Sequence, residues 1–273
     1  MIDTIPLFPL LDLKLIELLR TLSAADWDKP TVARLWSVKD VAAHLLDGNI
    51  RMLSFSRDSH KNAPDREINS YQDLVGYLNQ FNADWVKACK RVSPGVLVEL
   101  LESTGKQYSE HVATLNPYAE AMFSVAWAGE EKSVNWFHIA REYTEKWHHQ
   151  QQIREAVDKP GIITPMLFPP FIETLLLGLP HTYRNIQAKT GTTIEIGISS
   201  ESGGNWYLVK QDQGWKTNKT SSSAPDAGII ISPDTAWKLF TKAITPEKAR
   251  ETATLSGNIE LAEVALTMVA VMA

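Results

Sequence analysis

The tripeptide Lys159-Pro160-Gly161 divides the chain into two textures, and that division constrains the fold more than any other feature. Before it, apolar residues recur at three- and four-residue intervals, which puts them on one face of a helix. After it, one further helical run gives way to short apolar runs separated by turns rich in Ser and Gly, as strands are. At 273 residues the chain also exceeds the usual size of one domain, roughly 100–200 residues. Two domains are therefore expected: a helical one over 1–160 and a small α+β one over 161–273.

In the first domain, Leu11, Leu15, Leu18, Leu19 and Leu22 mark a helix over 11–22. A second helix begins at Ser37, an N-cap with Asp40 three residues on, and carries the stripe Val38, Val41, Leu45 and Leu46 with His44 beside it. A polar loop over 57–70 leads to a third helix, 70–91, and Ser93-Pro94-Gly95 opens a fourth, 95–104. The last long helix spans 132–156, so a bundle of four or more helices is expected. In the second domain a helix over 171–188 precedes the β segments "TTIEIGI", "NWYLVKQ", "GWKTN" and "AGIIIS". Two helices close it, "SPDTAWKLFTKAI", capped by Ser232 with Pro233 in its first turn, and "GNIELAEVALTMVAVMA".

Composition excludes several functions. With 27 basic and 32 acidic residues the net charge is −5, and no Lys/Arg run supplies the basic face that nucleic-acid binding needs. No segment approaches the roughly 20 apolar residues of a membrane span. The apolar start lacks a basic flank and is interrupted by Asp3, Asp12 and Glu17, so a cytoplasmic protein is expected. Cys89 is the single cysteine, which rules out an internal disulfide and a cysteine-based zinc site; its surroundings read as a buried helix face.

The run "EYTEKWHHQQQIREA" (142–156) carries the chemistry. Glu145 and His149, four apart, point the same way from adjacent helical turns, the spacing by which a helix gives two ligands to one metal ion. Spacing alone equally describes a surface pair worth a few tenths of a kcal/mol, about 0.2–0.5. His44, beside an apolar stripe, is the candidate third ligand from another helix. A His–Glu–His set suits a divalent ion such as zinc or nickel and leaves positions open for water or substrate. His148 lies about 100° around the helix from His149, off that face. "HHQQQ" is polar enough to predict an exposed helix end, and Trp36 and Trp147 read as core or as pocket wall.

Three stretches carry a resemblance. "LSAADWDKPTVARLWSVKDVAAHLLDGNIRML" resembles the N-terminal signature of the mycothiol-dependent maleylpyruvate isomerase branch of the DinB/YfiT-like metalloenzyme superfamily, through Trp27, Pro30, Thr31, Trp36, Val38, Asp40, Val41, Ala43, His44 and Leu45. "REYTEKWHH" is similar to its Arg-x-x-x-Glu-x-Trp-x-His helix, filled by Arg141, Glu145, Trp147 and His149, and "FSVAWAGEE" to its Trp-Ala-Gly turn. "DTAWKLFTKAITPEKARETATLSGNIELAEVAL" resembles the branch's second domain, of sterol-carrier-protein-like α+β fold.

The resemblance implies a DinB-like four-helix bundle followed by that α+β domain, with His44, Glu145 and His149 binding one divalent metal, zinc foremost and nickel second. It implies a low-molecular-weight thiol cofactor of the mycothiol, bacillithiol or glutathione type, whose thiolate adds to an electrophilic small-molecule substrate. Cis–trans isomerisation and thiol transfer share that first step. A water-activating metal hydrolase and a non-catalytic metal-binding protein are the alternatives. The family's second domain is expected to bring polar or basic residues to the cofactor, and Arg184 is the candidate counterpart. Arg141, one turn before Glu145, is a candidate to orient that carboxylate. A monomer is favoured over a dimer, because the second domain could cover bundle surface that single-domain relatives use to dimerise.

Overall fold

The computed structural model describes residues 1–60 and 63–272; residues 61 and 62 of the polar 57–70 loop, and residue 273 of the expected last helix, lie outside the described residues. The chain forms two compact units. One comprises Asp3–Met122, Val134–Ile162 and Met272; the other comprises Met1–Ile2, Phe123–Ser133 and Ile163–Val271. The segment Phe123–Ser133 thus packs with the later unit although it sits between two helices of the earlier one.

The helical unit contains α1 (Phe8–Arg20), α2 (Val38–Met52), α3 (Tyr71–Cys89), α4 (Pro94–Val112) and α5 (Asn135–Ala156). Ser37 and Asp40 make the expected capping box, each side chain bonding the other's backbone N–H. The apolar stripes of α1, α2 and α4 meet in one core that includes Leu15, Leu19, Val41, Leu45, Leu97 and Leu101, and Cys89 is buried in it. The Trp85 indole N–H donates to the Ala43 carbonyl at 2.9 Å, tying α3 to α2. α2 continues into a π-helical turn, Leu53–Arg57. α4 runs eight residues beyond the expected end at 104, straight through Gly105. At Gly105 the helix passes close to α1: a Cβ there would stand 2.8 Å from the Asp12 Oδ2.

α5 is polar nearly all round and is nevertheless buried through most of its length. Along one side, Lys146, Gln150 and Arg154 recur every four residues and meet α1: the Lys146 ammonium pairs with Asp12 at 2.8 Å, the Gln150 amide donates to the Leu11 carbonyl, and Arg154 donates to the Lys14 carbonyl. The Lys146 ammonium also lies 4.5 Å from the centre of the Tyr108 ring. Buried polar groups are tolerated where each finds such a partner.

The second unit holds α6 (Phe168–Leu176) and α7 (Leu179–Thr182), where one helix over 171–188 was expected; Gly178 and Pro180 divide it. Then follow β1 (Thr193–Ile198), β2 (Gly204–Gln211), β3 (Gly214–Asn218), β4 (Ala227–Ile231), α8 (Pro233–Phe240), α9 (Pro246–Arg250), β5 (Thr254–Gly257) and α10 (Ile259–Glu263). The sheet has the order β3-β2-β1-β4-β5, with β1 and β4 parallel and the other pairs antiparallel. Ile194, Ile196 and Ile198 alternate along β1 and are buried, in register with Leu208 and Trp206 on one side and Ile229 and Ile231 on the other. Ser232 caps α8 as expected. Gly257 adopts φ +64°, and a Cβ there would collide with the Asp226 carbonyl 2.2 Å away. Among the described residues no helix is long and apolar enough to cross a membrane.

Candidate metal centre

The capping box fixes where α2 begins, and His44 lies two turns further on; Glu145 and His149 occupy successive turns of α5, which packs against α2. One ligand atom from each of the three lies within 4.8 Å of the others. The His149 Nε2 is 3.5 Å from the Glu145 Oε2, and the His44 and His149 rings meet edge to face with centroids 4.7 Å apart. The His44 Nδ1 is buried with no hydrogen-bond partner, and the Glu145 side chain keeps 26% of its surface exposed.

Burial holds the His44 imidazole well below the ordinary histidine range, with the neighbouring charges of His149 and Arg51 acting in the same direction. For Glu145, burial by itself would push the carboxyl up. Its contact with His149 and the charges of His148, His149 and Arg141 outweigh that, and the carboxyl is held below its ordinary range. A neutral His44 beside an ionised carboxylate, with a desolvated ring nitrogen lacking any partner, fits a divalent cation of the zinc or nickel kind. An unpartnered buried polar atom is costly, and coordination through that nitrogen would remove the cost.

His148 is buried too, contrary to an exposed helix end. Its Nδ1–H donates to the Thr144 carbonyl at 2.8 Å, and burial followed by the charge of His149 pushes it down to about 4. The run "HHQQQ" is internal because each glutamine has a specific partner: Gln150 the Leu11 carbonyl, Gln151 the Ile162 N–H, and Gln152 the His149 ring at 2.9 Å. Composition could not reveal those partners.

Trp147 is fully buried, whereas Trp36 lies against the site, its ring 4.8 Å from that of His44 and 6.2 Å from that of His149. The loop 30–37 holds it there, since the Thr31 hydroxyl and N–H both donate to the Trp36 carbonyl. Gln152 was not picked out from sequence; its place three residues after His149 on the same helix was the available signal.

Arg141 makes its side-chain bonds away from Glu145 and acts on that carboxylate through its charge. It pairs with Glu142 and donates to the His138 Nδ1 at 3.0 Å, so its guanidinium is engaged elsewhere on α5. Arg184, in the second unit, is exposed and donates to the His181 carbonyl. Burial and the Arg141 charge push the His138 imidazole down from the ordinary 6.5 to about 4. The unfolded chain therefore takes up this proton first, and stability present above pH 6.5 is lost as pH falls toward 4, by on the order of 3 kcal/mol. Urea unfolding at pH 7.5 and 4.5 checks this: His138→Gln should narrow the gap between the two, and an unchanged gap would refute it.

A family model described as the mycothiol maleylpyruvate isomerase N-terminal domain matches residues 10–154, a span that includes His44, Glu145 and His149. Two solved structures described as the mycothiol-dependent maleylpyruvate isomerase, one of them with a histidine replaced by alanine, are similar in fold. Each is 10% identical, with 92% of this chain and 91% of that chain covered, at TM-scores of 0.56 and, for the substituted form, 0.55. No curated protein matches.

Proposed function

Since the chain belongs to the family of the mycothiol maleylpyruvate isomerase N-terminal domain, we propose that it is a metal-dependent enzyme that uses a low-molecular-weight thiol in a maleylpyruvate-isomerase-like cis–trans isomerisation. The observation that carries the reading is the convergence of His44, Glu145 and His149 within the matched span. These three would hold the divalent cation, which with the thiol as co-reactant supplies a thiolate nucleophile near neutral pH, where a free thiol is mostly protonated.

The chain's own residues set the conditions for that chemistry. Glu145 contributes the single negative charge of the ligand set, so a cation held there keeps a net positive charge and attracts an anionic sulfur or carboxylate. Trp36 lies against both imidazoles, a placement that would limit water on that side of a bound cation. The partly exposed Glu145 side chain marks the side open to small molecules.

Zinc-loaded protein should isomerise a cis-ene-dione acid only when mycothiol, bacillithiol or glutathione is added, with the thiol recovered unchanged. Consumption of the thiol would reassign the protein as a thiol transferase. Hydrolysis of the substrate without any thiol would replace this reading with a water-activating one.

A further inference from the structure

Building on the cation-binding reading above, we propose that Gln152 is a positioning residue that decides which nitrogen of His149 carries the proton, and so whether the nitrogen facing the site is a free lone pair. Its amide oxygen lies 2.9 Å from the His149 Nδ1. A carbonyl oxygen only accepts, so the ring carries its proton on Nδ1 and donates it to Gln152. The Nε2 is then a lone pair, and it looks across 3.5 Å at the Glu145 carboxylate. Two acceptors facing each other at that distance repel, and a cation between them turns both into ligands.

The other tautomer has the opposite effect. With its proton on Nε2, His149 would donate to Glu145 and satisfy the pair with no cation at all. What separates an open ligand pair from a closed one is therefore the acceptor behind the ring. Gln152 is only 4% exposed, so water does not readily replace it, and the neighbouring His148 has its own Nδ1 committed to the Thr144 carbonyl. A neutral amide also orients the ring without placing a second negative charge beside Glu145, which preserves the net positive charge that a thiolate needs.

The test is the zinc dissociation constant, measured by competition with a chromophoric chelator, together with the ring nitrogen-15 shifts of His149 in the zinc-free protein. Gln152→Met keeps the volume and removes the acceptor; zinc binding should weaken about 10–100-fold and the Nε2–H tautomer should rise. Gln152→Glu restores an acceptor and should bind zinc at least as tightly as wild type, with the proton kept on Nδ1. Should the Met variant fail to fold, Gln152→Asn, whose amide falls one methylene short of the ring, carries the same expected loss. A Met variant with wild-type affinity, or one that loses zinc while the ring keeps its Nδ1–H, would overturn the proposal. A wild-type protein that takes up no zinc would instead overturn the cation-binding reading on which it rests.

Discussion

Protein carrying Glu145→Ala is expected to purify without metal where the wild type retains near-stoichiometric zinc or nickel, as read by inductively coupled plasma mass spectrometry. Structural zinc sites with four protein ligands gain about 10–16 kcal/mol, so one ligand is worth roughly 3 kcal/mol, a hundredfold or more in affinity. His44→Ala and His149→Ala should act alike, because the three candidate ligand atoms lie within 4.8 Å of one another. His148→Ala is the contrasting variant: that ring is adjacent but its Nδ1 is bonded to the Thr144 carbonyl, and it stands outside the ligand set. Equal loss of metal from the His148 and His149 variants would mean a closed four-ligand site, and with it a structural rather than a catalytic ion.

Asp12→Ala should destabilise the helical unit by about 3–5 kcal/mol, the usual cost of removing one partner of a buried ion pair. Lys146 keeps only 10% of its side chain exposed and Asp12 16%, so neither charge is readily rehydrated in place. Truncating the aspartate leaves an ammonium with one ring face for company. Replacing both partners by apolar residues of similar size, Asp12→Leu with Lys146→Met, should recover most of the loss, since the desolvation penalty then disappears along with the attraction. Urea unfolding of the wild type, Asp12→Leu, Lys146→Met and the double variant tests this as a double-mutant cycle; an Asp12→Ala variant within 1 kcal/mol of wild type, about a fivefold change in the folding equilibrium, would show that water reaches the pair.

The helical half was legible wherever side-chain spacing alone determined the outcome. The Ser37 capping box, the α2 stripe and the Glu145/His149 pair needed only distances along the chain. Two of the misreadings share one cause, a partner that spacing does not reveal. The fourth helix was expected to end at 104 and runs on through Gly105, the point where α4 lets Asp12 approach. The glutamine run looked solvated and is held by the Leu11 carbonyl, the Ile162 N–H and the neighbouring His149 ring. In the second unit the closing apolar run stops being helical after α10 and a short turn, Val264–Thr267; beyond it the Ala270 N–H bonds the Phe240 carbonyl. β5 was missed because four residues, three of them polar or glycine, carry too little alternation to stand out.

The polar seam between α1 and α5 also has a temporal side. Asp12 and Lys146 are 134 residues apart in the chain, so their pairing closes a loop that contains the rest of the bundle. Contacts of such long sequence separation bear the closure entropy before they return any gain, and they govern how slowly a domain forms. During synthesis α1, α2, α3 and α4 are complete well before Glu145 and His149 leave the ribosome. A nascent chain halted short of α5 therefore has one of the three candidate ligands and no site, and metal uptake would be a timestamp for the closing of the bundle.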